Sequence, residues 1–271
     1  MSSTNMSRAK VFPFLVDSHA HLDFRDFDGD REKVLERAEN RGLKLIINIG
    51  CDLQTSQKSI QLAEKYPIIY TAVGIHPHEA AKVPADYLKS LREMSAHPKV
   101  VAIGEIGLDY YRNRSPRERQ KEVFRRQLQL ACEVNLPVVL HDRDAHEEMI
   151  SILETEGLPP AGGVMHCFSG DLPLAKKSME MGLYISIAGP VTYPKNKVLG
   201  QVAATVPAGR LLIETDAPFL TPAPMRGKRN EPGNVAFTAE KVAALRGTTG
   251  EKIGRICLEN TKRLFSITTA E

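Results

Sequence analysis

Short apolar runs recur along the chain, and the stretches between them carry their apolar residues three and four apart. The runs fall at 11–16, 43–49, 68–73, 100–103, 136–140, 163–165, 183–187 and 211–213, each with the length and composition of a buried strand. The intervening stretches read as helices. One covers 30–40, with Asp30 as its cap and Val34, Leu35 and Ala38 on one face. A second carries Ile60, Leu62 and Ala63, and Pro84 opens a third with Tyr87, Leu88 and Leu91. The longest covers 116–134, with Val123, Phe124, Gln127, Leu128 and Ala131 along one side. Others follow at 145–154, 174–181, 198–206, 235–245 and 253–264. Strand and helix thus alternate at intervals of about 25–35 residues, the rhythm of a parallel sheet covered by helices. Eight such strands in 271 residues predict an α/β protein built as one closed (β/α)₈ barrel over 11–271. An open doubly wound sheet fits less well, because the turn after the first strand holds His-X-His where a glycine-rich phosphate loop would stand.

Composition narrows the setting more than the chemistry. Hydrophobic content of 42% and charged content of 25% are those of a soluble globular protein with a sizeable core. A net charge of +3 neither requires nor excludes an anionic partner, so any argument for nucleic acid rests on local clusters. The four cysteines are scattered without a C-x-x-C pair, which predicts reduced, mostly buried thiols and a cytoplasmic protein. The apolar run after Arg8 and Lys10 is too short for a signal core or a membrane span. Residues 1–10 are expected to be a disordered leader, with Met6 as an alternative start.

In a parallel barrel the chemistry gathers at the C-terminal ends of the strands. Here five of the eight predicted strand ends carry ligand-type residues: His19 and His21, then Glu105, His141, His166 and Asp216. Any one of them has an ordinary structural reading, such as a satisfied core histidine or a carboxylate paired with an arginine. All of them at one mouth point to a divalent-metal site. Six ligands exceed one tetrahedral site, and a carboxylate can bridge two ions. The expected division puts His19, His21 and Asp216 on one ion and His141 and His166 on the other, with Glu105 between. A water held there would be acidified, with Asp216 placed to take its proton as general base, so Asp216 and Glu105 are the expected catalytic residues.

Six ordered motifs carry a family resemblance: 17–23 (DSHAHLD), 74–78 (GIHPH), 104–111 (GEIGLDYY), 136–143 (LPVVLHDR), 165–170 (MHCFSG) and 214–218 (ETDAP). Together they resemble the TatD family of metal-dependent deoxyribonucleases from about Phe14 to Phe265. The resemblance implies a TIM barrel of the metal-dependent hydrolase type and a divalent-metal site at His19, His21, Glu105, His141, His166 and Asp216. It also implies hydrolysis of DNA phosphodiester bonds, often as an exonuclease. The ions implied are Mg²⁺, Mn²⁺ or Zn²⁺, which the ligand types do not separate.

Further residues are candidates for substrate contact. His76 resembles the family's mouth-lining histidine and is expected to meet a phosphate, while Asp109 is placed to orient a ligand or substrate. Arg112, Arg114, Arg143, Lys195, Lys197, Arg226, Lys228 and Arg229 fall in loops at the predicted active face, where a polymer's phosphates would lie. Tyr110, Tyr111, Tyr193 and Phe168 share those loops and are candidates for stacking on unpaired bases, which suits a single-stranded DNA end. The expected protein is a monomer with no membrane partner. Two other functions fit parts of the pattern. A hydrolase of carbonyl esters or amides, such as an aminoacyl-tRNA deacylase, would use the same dinuclear mouth. A non-catalytic metal-binding protein would be signalled by missing ligands, and none is missing.

Overall fold

The computed structural model describes residues 11–268; the leader expected over residues 1–10 lies outside the described residues. Eight parallel strands, β1 (Leu15–Ala20), β2 (Leu43–Ile49), β3 (Ile69–Val73), β4 (Val100–Asp109), β5 (Val138–Arg143), β6 (Gly163–Met165), β7 (Leu183–Ile187) and β8 (Leu211–Ile213), pair in sequence order. Nine α-helices lie among the described residues: α1 (Arg31–Glu39), α2 (Leu53–Lys65), α3 (Tyr87–Ser95), α4 (Arg117–Val134), α5 (His146–Glu156), α6 (Leu172–Glu180), α7 (Lys197–Thr205), α8 (Val235–Leu245) and α9 (Gly250–Leu264). The strands are buried on both faces, between the barrel interior and the helices, which is why they read as continuous apolar runs. This is the predicted (β/α)₈ barrel.

The ring closes just beyond β8. Asp216 donates its N–H to the His19 carbonyl at 2.9 Å, and His21 donates to the Ala217 carbonyl at 2.8 Å. Side chains reinforce this seam. The Asp17 carboxylate accepts from the Thr215 N–H at 2.8 Å and from its hydroxyl, and the Ser18 hydroxyl donates to the Ile213 carbonyl at 3.0 Å. Burial pushes the Asp17 carboxyl well above its ordinary pKa, although the Thr215 bonds favour the charged form.

β1, β3, β4 and β5 differ from their expected bounds, β3 by a single residue, and the larger differences have physical reasons. The first strand begins at Leu15 rather than at residue 11, because Pro13 lacks an N–H and lies in a turn. The strand then runs on through Ala20, which places His19 inside it and His21 immediately after it. β4 runs on through Asp109, and β5 through Arg143. Two glycines allow that extension: a side chain at Gly104 would meet Val139 at 2.6 Å, and one at Gly107 would meet the His141 carbonyl at 2.1 Å. Along this pair Gly104 faces Val139 and Ile106 faces Leu140, so Glu105 is an extra residue in the ladder. Such a bulge re-aims a side chain, and here it turns Glu105 into the mouth. Asp30 occupies the helix-start position expected of it but makes no capping bond; its carboxylate is held by Arg37 and Arg229.

Buried polar side chains brace the loops that carry the mouth. On α4, Gln127 bonds both the N–H and the carbonyl of Ile75, and Gln120 bonds the N–H of Asp109. Asn48 on β2 accepts from the Leu22 N–H at 2.6 Å and donates to Asp23 at 2.9 Å and Ser59 at 2.6 Å. Removing the amide leaves buried donors and acceptors unpaired, at about 1–3 kcal/mol for each group. Asn48→Ala is therefore expected to lower unfolding free energy by about 2 kcal/mol or more, read as a reduced urea midpoint at unchanged slope. An unchanged midpoint would show that this network does not hold the β1 loop.

Candidate metal centre

Two pairs of imidazoles face one another across a single buried carboxylate. On one side His19 Nε2 and His21 Nε2 stand 3.2 Å apart, and Glu105 Oε2 lies 3.4 and 3.7 Å from them. Asp216 Oδ1 completes that side at 3.7 Å from His19 and 3.4 Å from His21. On the other, His141 Nδ1 and His166 Nε2 are 3.2 Å apart, with Glu105 Oε1 at 2.6 and 2.7 Å. The six predicted ligands, drawn from β1, β4, β5 and the turns after β1, β6 and β8, thus converge, and Glu105 turns one oxygen toward each pair.

For three of the four rings, a partner lies behind the nitrogen turned away from the centre. His21 Nδ1 bonds the Ile49 carbonyl at 2.9 Å, leaving Nε2 for the centre. Asp109 Oδ2 lies 3.3 Å from His141 Nε2, while His141 Nδ1 faces Glu105 Oε1 at 2.6 Å. Glu214 Oε1 lies 3.3 Å from His166 Nδ1 and accepts the Cys167 N–H at 2.6 Å. Glu214 was legible as part of the Glu-Thr-Asp motif, but nothing in the sequence distinguished its role from that of Asp216.

The donor set suits a divalent cation. At most one proton can lie between two facing imidazole nitrogens 3.2 Å apart, and a cation that displaces it meets two lone pairs with carboxylate oxygens around them. Nitrogens 3.2 Å apart also match the separation of about 3.3 Å between two ligands of a tetrahedral ion with bonds near 2.0–2.1 Å. The electrostatics are those of a site holding protons in place of a cation. Burial opposes charge on His21, but Cys51 and Asp216 outweigh it and raise its pKa well above the ordinary value. His166 is likewise raised well above against burial, by Glu105 and Glu214, and His141 is raised by Asp109 and Glu105. Burial alone would raise Glu105, yet His166, His76 and His19 hold it well below the usual carboxylate range. Asp216 is lowered too, burial being outweighed by its bond to His21 together with the charges of His19, His21 and His166. Burial lowers His19, and it pushes His76 well below its ordinary value.

The other predicted residues divide. His76 reaches the centre, with Nε2 3.6 Å from Glu105 Oε1, and its Nδ1 accepts the His78 N–H at 3.0 Å. Tyr111 is exposed, with the guanidiniums of Arg143 and Arg112 at 4.2 and 5.3 Å from its ring centre. Tyr110 is not offered in the same way: its hydroxyl is buried and Arg117 covers its ring at 4.1 Å. Phe168 is buried, and the Tyr193 hydroxyl is tied to the Thr221 carbonyl at 2.8 Å. Arg229 is withdrawn from the mouth, bonded to the Asp26 carbonyl, to Asp30 at 2.8 Å and to Glu231 at 3.2 Å. A cation already paired with two carboxylates has little left for a phosphate. Three residues beside the centre escaped the sequence reading: Cys51, whose thiol lies 3.7 Å from His21 Nδ1, and the aromatic pair Phe24 and Phe219.

Known proteins share both the sequence and the fold. Residues 16–266 match the family described as TatD related DNase. A Bacillus subtilis protein named uncharacterized metal-dependent hydrolase YabD is 48% identical over 93% of this chain and 99% of its own length. The 3'-5' ssDNA/RNA exonuclease TatD of Erwinia tasmaniensis is 37% identical over 93% of this chain and its full length. The crystal structure of YJJV, a TatD homolog from Escherichia coli K12, superposes with a TM-score of 0.89 at 35% identity, covering 94% of this chain and 99% of that one.

Rings with raised pKa values carry protons that a cation must displace. Mn²⁺ or Zn²⁺ binding at about pH 7 is therefore expected to release protons, and apparent affinity to weaken as pH falls from about 8 to 6. The sign follows from the raised values of His21, His141 and His166: below them the rings are protonated and compete. Calorimetry in buffers of different ionisation enthalpy reads both effects, and a pH-independent affinity would contradict them.

Proposed function

The chain belongs to the TatD-related DNase family of metal-dependent hydrolases, and from that premise we propose that it hydrolyses DNA phosphodiester bonds exonucleolytically, from single-stranded ends, with water as nucleophile. The reading includes two divalent ions, held by His19, His21 and Asp216 on one side and by His141 and His166 on the other, with Glu105 bridging. The observation that carries it is the split Glu105 carboxylate, one oxygen toward each histidine pair. When bound, such ions acidify a water and neutralise charge on a phosphoryl group.

The chain's own residues supply the rest. Asp216 stays ionised at neutral pH and is positioned to accept the water's proton. His76 holds its proton on Nε2, because Nδ1 accepts the His78 N–H, and so offers a neutral donor to a phosphate oxygen. Asp109 and Glu214 keep His141 and His166 in the tautomers the centre needs. Arg112 and Arg143 make no ion pair among the described residues, which leaves their charge for the substrate backbone. The choice of single-stranded DNA draws support from the relatives named 3'-5' ssDNA/RNA exonuclease TatD. The reading carries a monomer in the cytoplasm, in keeping with four free cysteines.

The test uses metal-stripped protein and short single-stranded DNA labelled at either end, with Mg²⁺, Mn²⁺ or Zn²⁺ restored separately. The expected result is a metal-dependent ladder, reduced at least about 10²-fold in Glu105→Ala and Asp216→Ala. No cleavage with any ion, in protein shown to bind two, would overturn the reading and favour an ester or amide such as aminoacyl-tRNA.

A further inference from the structure

Among the described residues, the large apolar side chains left exposed are Val11, Tyr111, Val198 and Phe219. The two aromatic ones both stand at the barrel mouth. Phe219, 51% exposed, follows β8, while Tyr111, 57% exposed, follows β4 and lies against Arg143 at the end of β5. In a ring of eight strands in sequence order, the β8–β1 seam is diametrically opposite the β4–β5 pair. The two rings therefore flank the carboxylate–histidine centre from opposite rims.

Phe219 is held in place despite its exposure. Its N–H donates to the Asp216 carbonyl at 2.8 Å, and its carbonyl accepts from buried Asn230 at 2.7 Å. The next residue, Leu220, has φ of +53°, a conformation that non-glycine residues keep only where their surroundings enforce it. The enforcement is visible: the Leu220 carbonyl packs so closely on Gly189 that a side chain there would stand 2.2 Å from it. Phe24 backs the ring, stacked on the His21 imidazole with centroids 4.8 Å apart and edge-on to Phe219 at 6.0 Å. A half-exposed aromatic ring on a backbone held beside a metal-type centre matches what an unpaired nucleobase requires.

Resting on the nuclease reading above, we infer that Phe219, backed by Phe24, is a stacking platform for the base on one side of the scissile phosphate. Tyr111, between Arg112 and Arg143, takes the base on the other. Bases splayed onto opposite rims cannot remain paired, so the two platforms themselves select single strands or frayed ends.

The test compares wild type, Phe219→Ala, Phe219→Tyr and Tyr111→Ala on a short single-stranded DNA. A second substrate carries one abasic residue next to the cleaved bond, on either side in turn. Stacking of one base is worth a factor of about 5–150. Phe219→Ala is expected to raise KM within that range with kcat little changed, and Phe219→Tyr to restore it. The penalty should vanish on one abasic substrate, and the Tyr111→Ala penalty on the other. Because the ring is exposed, Phe219→Ala should melt near the wild-type temperature. Wild-type cleavage with KM unmoved in Phe219→Ala, or with an equal penalty on both abasic substrates, would overturn the platform and leave the nuclease standing. Wild type that cleaves neither DNA would overturn both.

Discussion

A carboxylate buried among four imidazoles governs this structure. Glu105 is almost wholly removed from water, and an isolated charge there would be expensive. It is tolerated because both oxygens face nitrogens: His19 and His21 on one side, His141 and His166 on the other. Three of the four rings are in turn held from behind: His21 by the Ile49 carbonyl, His141 by Asp109 and His166 by Glu214. Gln120 on α4 then fixes Asp109, and Asn48 on β2 holds the turn after His21 through Leu22. The mouth is thus a set of nested hydrogen bonds whose innermost member is a single side chain.

The barrel supplies the convergence. Parallel strands closed into a ring bring their C-terminal ends to one face, so residues far apart in the chain become neighbours without any long loop. Closure at the β8–β1 seam brings Asp216 against His19 and His21 through the same backbone bonds that complete the ring. The bulge in β4 delivers Glu105 to the centre of that face. Fold and site share their hydrogen bonds here, and a change to the seam is a change to the site.

Much of this was legible because it rests on periodicity. The apolar runs at 43–49, 163–165, 183–187 and 211–213 match β2, β6, β7 and β8 residue for residue, since doubly buried strands tolerate little else. The six histidines and carboxylates were legible from their place after such runs. Features that depend on contacts between distant segments were not. The bulge at Glu105 depends on glycines meeting β5, and the loss of Arg229 to Asp30 and Glu231 depends on the end of the barrel loop folding back over α1. Phe219, directly after the 214–218 motif, drew no reading from the sequence; only its exposure beside His21 gives it meaning.

In the proposed centre Glu105 stands between two cation positions. Anomalous scattering from crystals loaded with Mn²⁺ or Zn²⁺ tests it most directly. Two peaks are expected, one bounded by His19, His21 and Asp216 and the other by His141 and His166, with one Glu105 oxygen directed at each. A single peak at full loading, or a second ion that Glu105 does not touch, would contradict it.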